Sequence, residues 1–164
     1  MVITLGSILK LLHIASAIAM IGGMIGRQVA RAQAERSSDV HEIKVLIRLA
    51  TRFDRIVIPS SNLLLVFGVA VALVNKWPLG GFLQGSPMNW LLVSILLFVA
   101  MIPIIAIVFI PHRKALERAL DEATDGNVTP ELRALLQDRR NMIGHRIEEI
   151  IIGIILILMV LKPF

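Results

Sequence analysis

MNWLLVSILLFVAMIPIIAIVFIP, residues 88–111, contains no charged side chain. As a helix it would extend about 36 Å, and the hydrocarbon core of a bilayer is ~30 Å thick. Working outward, residues 56–75 are also uncharged, and residues 2–26 are interrupted only by Lys10 and His13. The fourth candidate is shorter. The uncharged run from Ile150 to Leu161 reaches about 18 Å, so a spanning helix must begin near Asn141–Gly144 and draw Glu148 and Glu149 below the headgroups. Composition agrees: 56% of residues are hydrophobic, 18% are charged, and the mean hydropathy is +0.78, which sets an ordinary soluble domain aside. Cysteine and tyrosine are absent, excluding thiolate metal sites, disulfides and a catalytic phenol. The fold class expected is all-α, with residues 1–164 forming a single domain of four transmembrane helices.

Charge fixes the expected orientation. Arg27, Arg31, Arg36, Lys44, Arg48, Arg52 and Arg55 separate the first two spans, and Arg113, Lys114, Arg118, Arg133, Arg139, Arg140 and Arg146 separate the last two. The loop between spans two and three holds only Lys76, and Trp77 and Trp90 bracket it as interfacial aromatics do. Basic loops stay in the cytoplasm, so both termini are expected outside a bacterial inner membrane. Residues 1–26 lack a basic leader and read as an anchor.

The two inner loops read as structured. Asp39 with Glu42 forms a capping-box pattern, and Ile43, Ile47, Ala50 and Phe53 follow as an apolar stripe. Lys44, Arg48 and Arg52 flank that stripe, making an amphipathic segment suited to anionic headgroups. Residues 113–125 read as helical until Gly126-Asn127. Thr129 and Pro130 then open a helix expected to run on into span four.

Chemistry concentrates in two layers. Lys10, His13, Ala17, Met20, Met24 and Arg27 share one face of the first span. The face admits two readings: a buried imidazole ligating haem iron or a metal with Lys10 near a propionate, or a neutral histidine bonded to a neighbouring helix. His112 and His145 lie too far inward to be an opposite axial ligand, whereas Met101 and Met159 lie at comparable depth, so a His/Met pair is geometrically allowed. The second layer joins Ser60, Ser61 and Asn62 to His112, His145, Glu148 and Glu149. It reads as a proton-relaying or cation-binding group, or as helix-end pairing with Arg146, Arg55 or Arg140. Nucleic acid is not an expected partner: the charged loops lack aromatic interleaving, and no phosphate loop or nucleophile elbow is present.

Leu9-Lys10-Leu11-Leu12-His13 followed by Gly22-Gly23, Phe53-Asp54-Arg55 leading to Pro59 and Phe67-Gly68, and the ending Leu158-Met159-Val160-Leu161-Lys162-Pro163 resemble a bacterial family of four-helix integral membrane proteins of unknown function. More distantly, the layout is similar to the four-helix, haem-b membrane protoporphyrinogen oxidases and to the copper-resistance membrane domain. That resemblance implies His13 as a haem ligand, Lys10 and Arg27 as supporting groups and His112 as a further polar position. Span three departs from it, with Ser94 and no lysine in its outer half, and Glu148-Glu149 lacks the proline of those oxidases' Asn-Glu-x-Pro. Three functions follow as expectations. The first is an accessory subunit packing against other membrane subunits or a second copy. The alternative is a b-type haem redox protein, and the third is a small ion or metal permease.

Overall fold

The computed structural model describes residues 4–123 and 128–163, and every regular element among them is helical. The chain forms two compact units, Met1–Trp77 and Pro78–Phe164.

The first unit is a hairpin of α1 (Leu5–Arg36) and α2 (Val40–Val74). Thr4 caps α1 by accepting from the Ser7 N–H. With 32 and 35 residues, both helices outrun a ~30 Å core. The basic segment after Asp39 is therefore not a separate loop helix. It continues through Pro59 into the second span as one helix. Its apolar stripe is also spent: Ile43, Ile47 and Ala50 are buried where α2 packs on α1, as are Ala30 and Ala34. Only the flanking Arg48 and Arg52 remain exposed.

Asp39 caps α2 by accepting from the His41 N–H at 2.9 Å, but the expected reciprocal bond is rerouted. Ser37 Oγ donates to Glu42 Oε2 at 2.6 Å and accepts from the Asp39 N–H at 3.1 Å, standing between the two halves of the box. At the other end the Lys76 and Trp77 N–H groups reach back to the Leu73 and Ala72 carbonyls, with Lys76 left-handed at φ 56°. This is the crossed pair of bonds of a Schellman stop.

Small residues let the hairpin close. A Cβ at Gly26 would stand 2.5 Å from the Phe53 ring, and one at Gly23 would stand 2.8 Å from Val57. The contact thus uses Gly23 and Gly26, while Gly22 faces open space.

In the second unit a 3₁₀ turn (Gly81–Gln84) precedes α3 (Trp90–Ile104), and Asn89 Oδ1 accepts from the Phe82 N–H at 2.7 Å to fix that turn. A π-helical turn (Ile105–Phe109) joins α3 to α4 (Ile110–Glu122) without a break. Pro103 and Pro111 each remove a donor from the ladder, and the wide turn lies between them. The stop expected at Gly126-Asn127 falls outside the described residues. Thr129 caps α5 (Pro130–Leu136), as its sequence suggests. The helix does not run on, however. Asp138 caps a new one, α6 (Arg139–Leu161), by accepting from the Arg140 N–H.

Among the described residues, three helical stretches are long and apolar enough to cross a membrane: α1, α2 and the continuous Trp90–Glu122 segment. The further helix, α6, has 23 residues, and its first half carries Arg139, Arg140, Arg146, Glu148 and Glu149. Those charges set it apart from the other three.

Candidate functional site

In the first unit, α1 turns His13 toward α2. Its Nδ1 lies 3.0 Å from the Leu64 carbonyl oxygen. A carbonyl only accepts, so Nδ1 carries the proton and donates. Of the two neutral tautomers this bond selects the one whose Nε2 is a lone pair. Gly68 makes the approach fit, since a Cβ there would stand 3.0 Å from His13 Cε1 and 3.2 Å from Nδ1. No second protein partner for His13 occurs among the described residues. The helix-to-helix bond is present, and it leaves one ring nitrogen over.

The groups expected around His13 do not all gather there. Lys10 is exposed one turn toward the N-terminus. Arg27 is committed elsewhere: its Nη1 lies 3.1 Å from Asp54 Oδ1, with side-chain exposures of 6% and 14%, and Arg31 Nη2 lies 4.0 Å from Asp54 Oδ2. Asp54 is the residue that sequence reasoning overlooked. Its signal was legible, a single acid among Arg48, Arg52 and Arg55 beside an apolar span. Nearby, Ser60 is buried, Ser61 Oγ donates to the Ile58 carbonyl, and Asn62 is exposed.

The second unit separates the expected inner layer into pairs. His145 Nδ1 lies 3.0 Å from Glu148 Oε2, with both side chains at least nine-tenths buried. With Glu148 ionised its carboxylate accepts and Nδ1 donates. Phe109 stacks on the imidazole with ring centroids 4.2 Å apart and planes 17° apart. Gly144 makes the room, because a Cβ there would stand 2.9 Å from Phe109 Cε1. His112 joins Asp138 instead, Nδ1 to Oδ2 at 3.2 Å. Glu149 pairs with the exposed Arg146 at 3.0 Å, which is the helix-end arrangement. Met101 is buried and Met159 half-buried. No three His, Asp or Glu side chains converge on a metal-sized site among the described residues. Phe109 and Asp138 carried no sequence signal of their own, because both enter through the π turn and the α5–α6 break.

Together these features define an all-helical integral membrane protein with three strongly apolar spanning helices and one more helix bearing buried ionisable groups. The chain belongs to the DUF2269 family of predicted integral membrane proteins, which it matches over residues 7–163. No curated protein and no solved structure shows significant similarity to it.

Proposed function

We propose that the chain is a four-span protein of the bacterial inner membrane, both termini outside, that serves as a non-catalytic subunit in a larger membrane assembly. The observation that carries this reading is a seam on α1. Leu11, Ala15, Ile18, Gly22, Ile25, Val29 and Ala32 alternate steps of four and three, and all are exposed. A Cβ at Gly22 would touch nothing within 4 Å. Such a heptad seam with small residues is the surface on which membrane helices associate.

The fourth span is supported by how α6 lies along α3. Phe109 stacks on His145 near one end, and Lys162 Nζ lies 5.4 Å from the Trp90 ring centroid at the other. Orientation rests on the Lys/Arg distribution, and exposed Arg48, Arg52 and Arg55 would meet anionic headgroups. The chain has no cysteine, so single-cysteine variants are clean probes. Cysteines at Gln84 and Asp121 should label from opposite faces, Gln84 from outside. Cysteines at Ile18 and Ile25 should cross-link in native membranes, to a second copy or another subunit, and Gly22→Leu should weaken both. Equal cross-linking from Leu12, which is exposed about a quarter turn off the seam, would make the seam lipid-facing and end this reading.

A second reading, a b-type haem redox protein, is favoured by the Nε2 of His13. Its opposite nitrogen is anchored on a carbonyl, as a ligating imidazole's usually is. His13 fits one axial position and Lys10 a propionate, whereas Arg27, bound to Asp54, does not fit that supporting role. Bound haem would supply one-electron chemistry. The purified protein should then show a Soret band that His13→Ala abolishes and His145→Ala leaves largely intact. A colourless protein after haem supplementation removes this reading and leaves the first.

A further inference from the structure

From Trp77 to Pro111 the chain carries no charged side chain, so the link into α3 is as uncharged as the span it precedes. Its tip is apolar and open. Phe82 and Leu83, in the middle of the 3₁₀ turn, are 66% and 71% exposed. The turn also lies at the level of the membrane boundary. Residues 90–111 would extend about 33 Å as a helix, close to the ~30 Å hydrocarbon core, which puts Trp90 at one edge of it. Asn89 stands immediately before Trp90, and its Oδ1 takes the Phe82 N–H at 2.7 Å. Phe82 is thereby tied to the mouth of the span.

The backbone of the turn is closed on itself. Gly81, Leu83, Gly85 and Ser86 donate their N–H groups to carbonyls of residues 78–82. The Gly80 N–H reaches Gln84 Oε1 and the Met88 N–H reaches Ser86 Oγ, both at 3.2 Å. Gly81 and Gly85, left-handed at φ 49° and 70°, permit this winding, and a Cβ at Gly81 would stand 2.5 Å from Asn89 Oδ1. A loop in water can leave its donors to solvent. Backbone lying among headgroups, short of water, gains by satisfying them internally.

We propose that this turn is an interfacial wedge, its backbone at headgroup level and Phe82 and Leu83 reaching beneath, where lipid acyl chains cover them. The occupant is the bilayer, because the tip bears no charge to recognise a polar partner and stands where lipid is already the neighbour of α3. Insertion by apolar area alone is indifferent to lipid charge, unlike contact through Arg48, Arg52 and Arg55 of the first unit. The wedge rests on Trp90–Glu122 crossing the bilayer and is independent of the α1 seam, of orientation and of haem.

Spin labels on single cysteines in the full chain, in liposomes of neutral phosphatidylcholine, test it. A label at the exposed Ile107 in the π turn marks hydrocarbon, and one at the exposed Asp121 marks water. Labels at Phe82 and Leu83 should collide with a water-soluble nickel chelate at least about tenfold less often than the Asp121 label, because a polar chelate is excluded from apolar surroundings. Adding anionic lipid should change neither value. Leu83→Asp disturbs no packing at this open position and should return the Phe82 label toward the Asp121 value. Labels at Phe82 and Leu83 as accessible as Asp121, with Ile107 protected, overturn the wedge and leave the tip to a protein partner. An aqueous Ile107 removes the span and the wedge with it. Protection at Phe82 that survives Leu83→Asp comes from the protein's own fold and overturns the wedge too.

Discussion

The two units join their helices by the same device and differ in one chemical choice. In the first, the Phe53 ring of α2 lies against Gly26 of α1, beside a buried Arg27–Asp54 pair. In the second, the Phe109 ring lies against Gly144 of α6, beside a buried His145–Glu148 pair. Both use a glycine so that an aromatic ring can reach the backbone, and both place a buried base–carboxyl pair next to it. Arginine stays charged at any accessible pH, while histidine changes charge near neutrality. The first junction is thus built as a permanent fastening, and the second as one that can change state.

The largest expected effect tests that contrast directly. Asp54→Asn takes away a carboxylate that pairs with the buried Arg27 at 3.1 Å, and a guanidinium cannot be neutralised by losing a proton. Roughly 3 kcal/mol of stability should be lost. Glu148→Gln leaves a histidine that can stay neutral and still hydrogen-bond, so the loss should be nearer 1 kcal/mol. Denaturant titration of the two variants in one detergent measures both. Equal losses would show that the pairs are equivalent and would erase the distinction.

The glycines come next. A methyl at Gly26 meets three Phe53 ring carbons, two at 2.5 Å and one at 2.9 Å, whereas at Gly144 the nearest ring carbon is at 2.9 Å. Gly26→Ala should therefore cost about 2 kcal/mol and Gly144→Ala about 1 kcal/mol, both within the range of overpacking. Phe53→Leu and Phe109→Leu should each recover part of the loss in their own unit. Recovery in the wrong unit would mean the strain is relieved elsewhere.

The spans were the most legible part of this chain. Long uncharged runs state their length directly, and α1, α2 and Trp90–Glu122 follow from them. Caps at Asp39 and Thr129 were legible too, because a side-chain oxygen before an N–H-rich turn is a local signal. What stayed hidden depends on partners distant in sequence. Leu64 and Gly68 receive His13 from another helix, and the 51-residue separation of the His13–Leu64 bond has no periodic trace. The amphipathic stripe Ile43–Phe53 misled for a related reason. Periodicity reports which face is covered and is silent on whether lipid or α1 covers it. The inner layer was read as one group because helical depth places residues only along the axis, and rotation about it split Glu148 from Glu149.

The smallest expected effect concerns Glu35, on the part of α1 beyond its apolar span, and asks whether the first unit is wholly insensitive to pH. Burial pushes its carboxyl above the ordinary value of 4.5, and that outweighs the nearby Arg31 and Arg36, which pull it down. A carboxyl raised in the folded chain holds its proton longer there than in the unfolded chain. Stability therefore declines as pH rises from the unfolded value through the folded one, and the penalty is complete above it. Glu35→Gln removes the penalty at neutral pH and changes nothing at low pH, where both states are protonated. Since the side chain is only half-buried, the gain at pH 7.5 should be slight, about 1 °C in Tm, and should vanish at about pH 3.5. Thermal melts at both values check it. A gain that persists at the acid value would assign the effect to the amide's packing and leave the first unit without this titrating group.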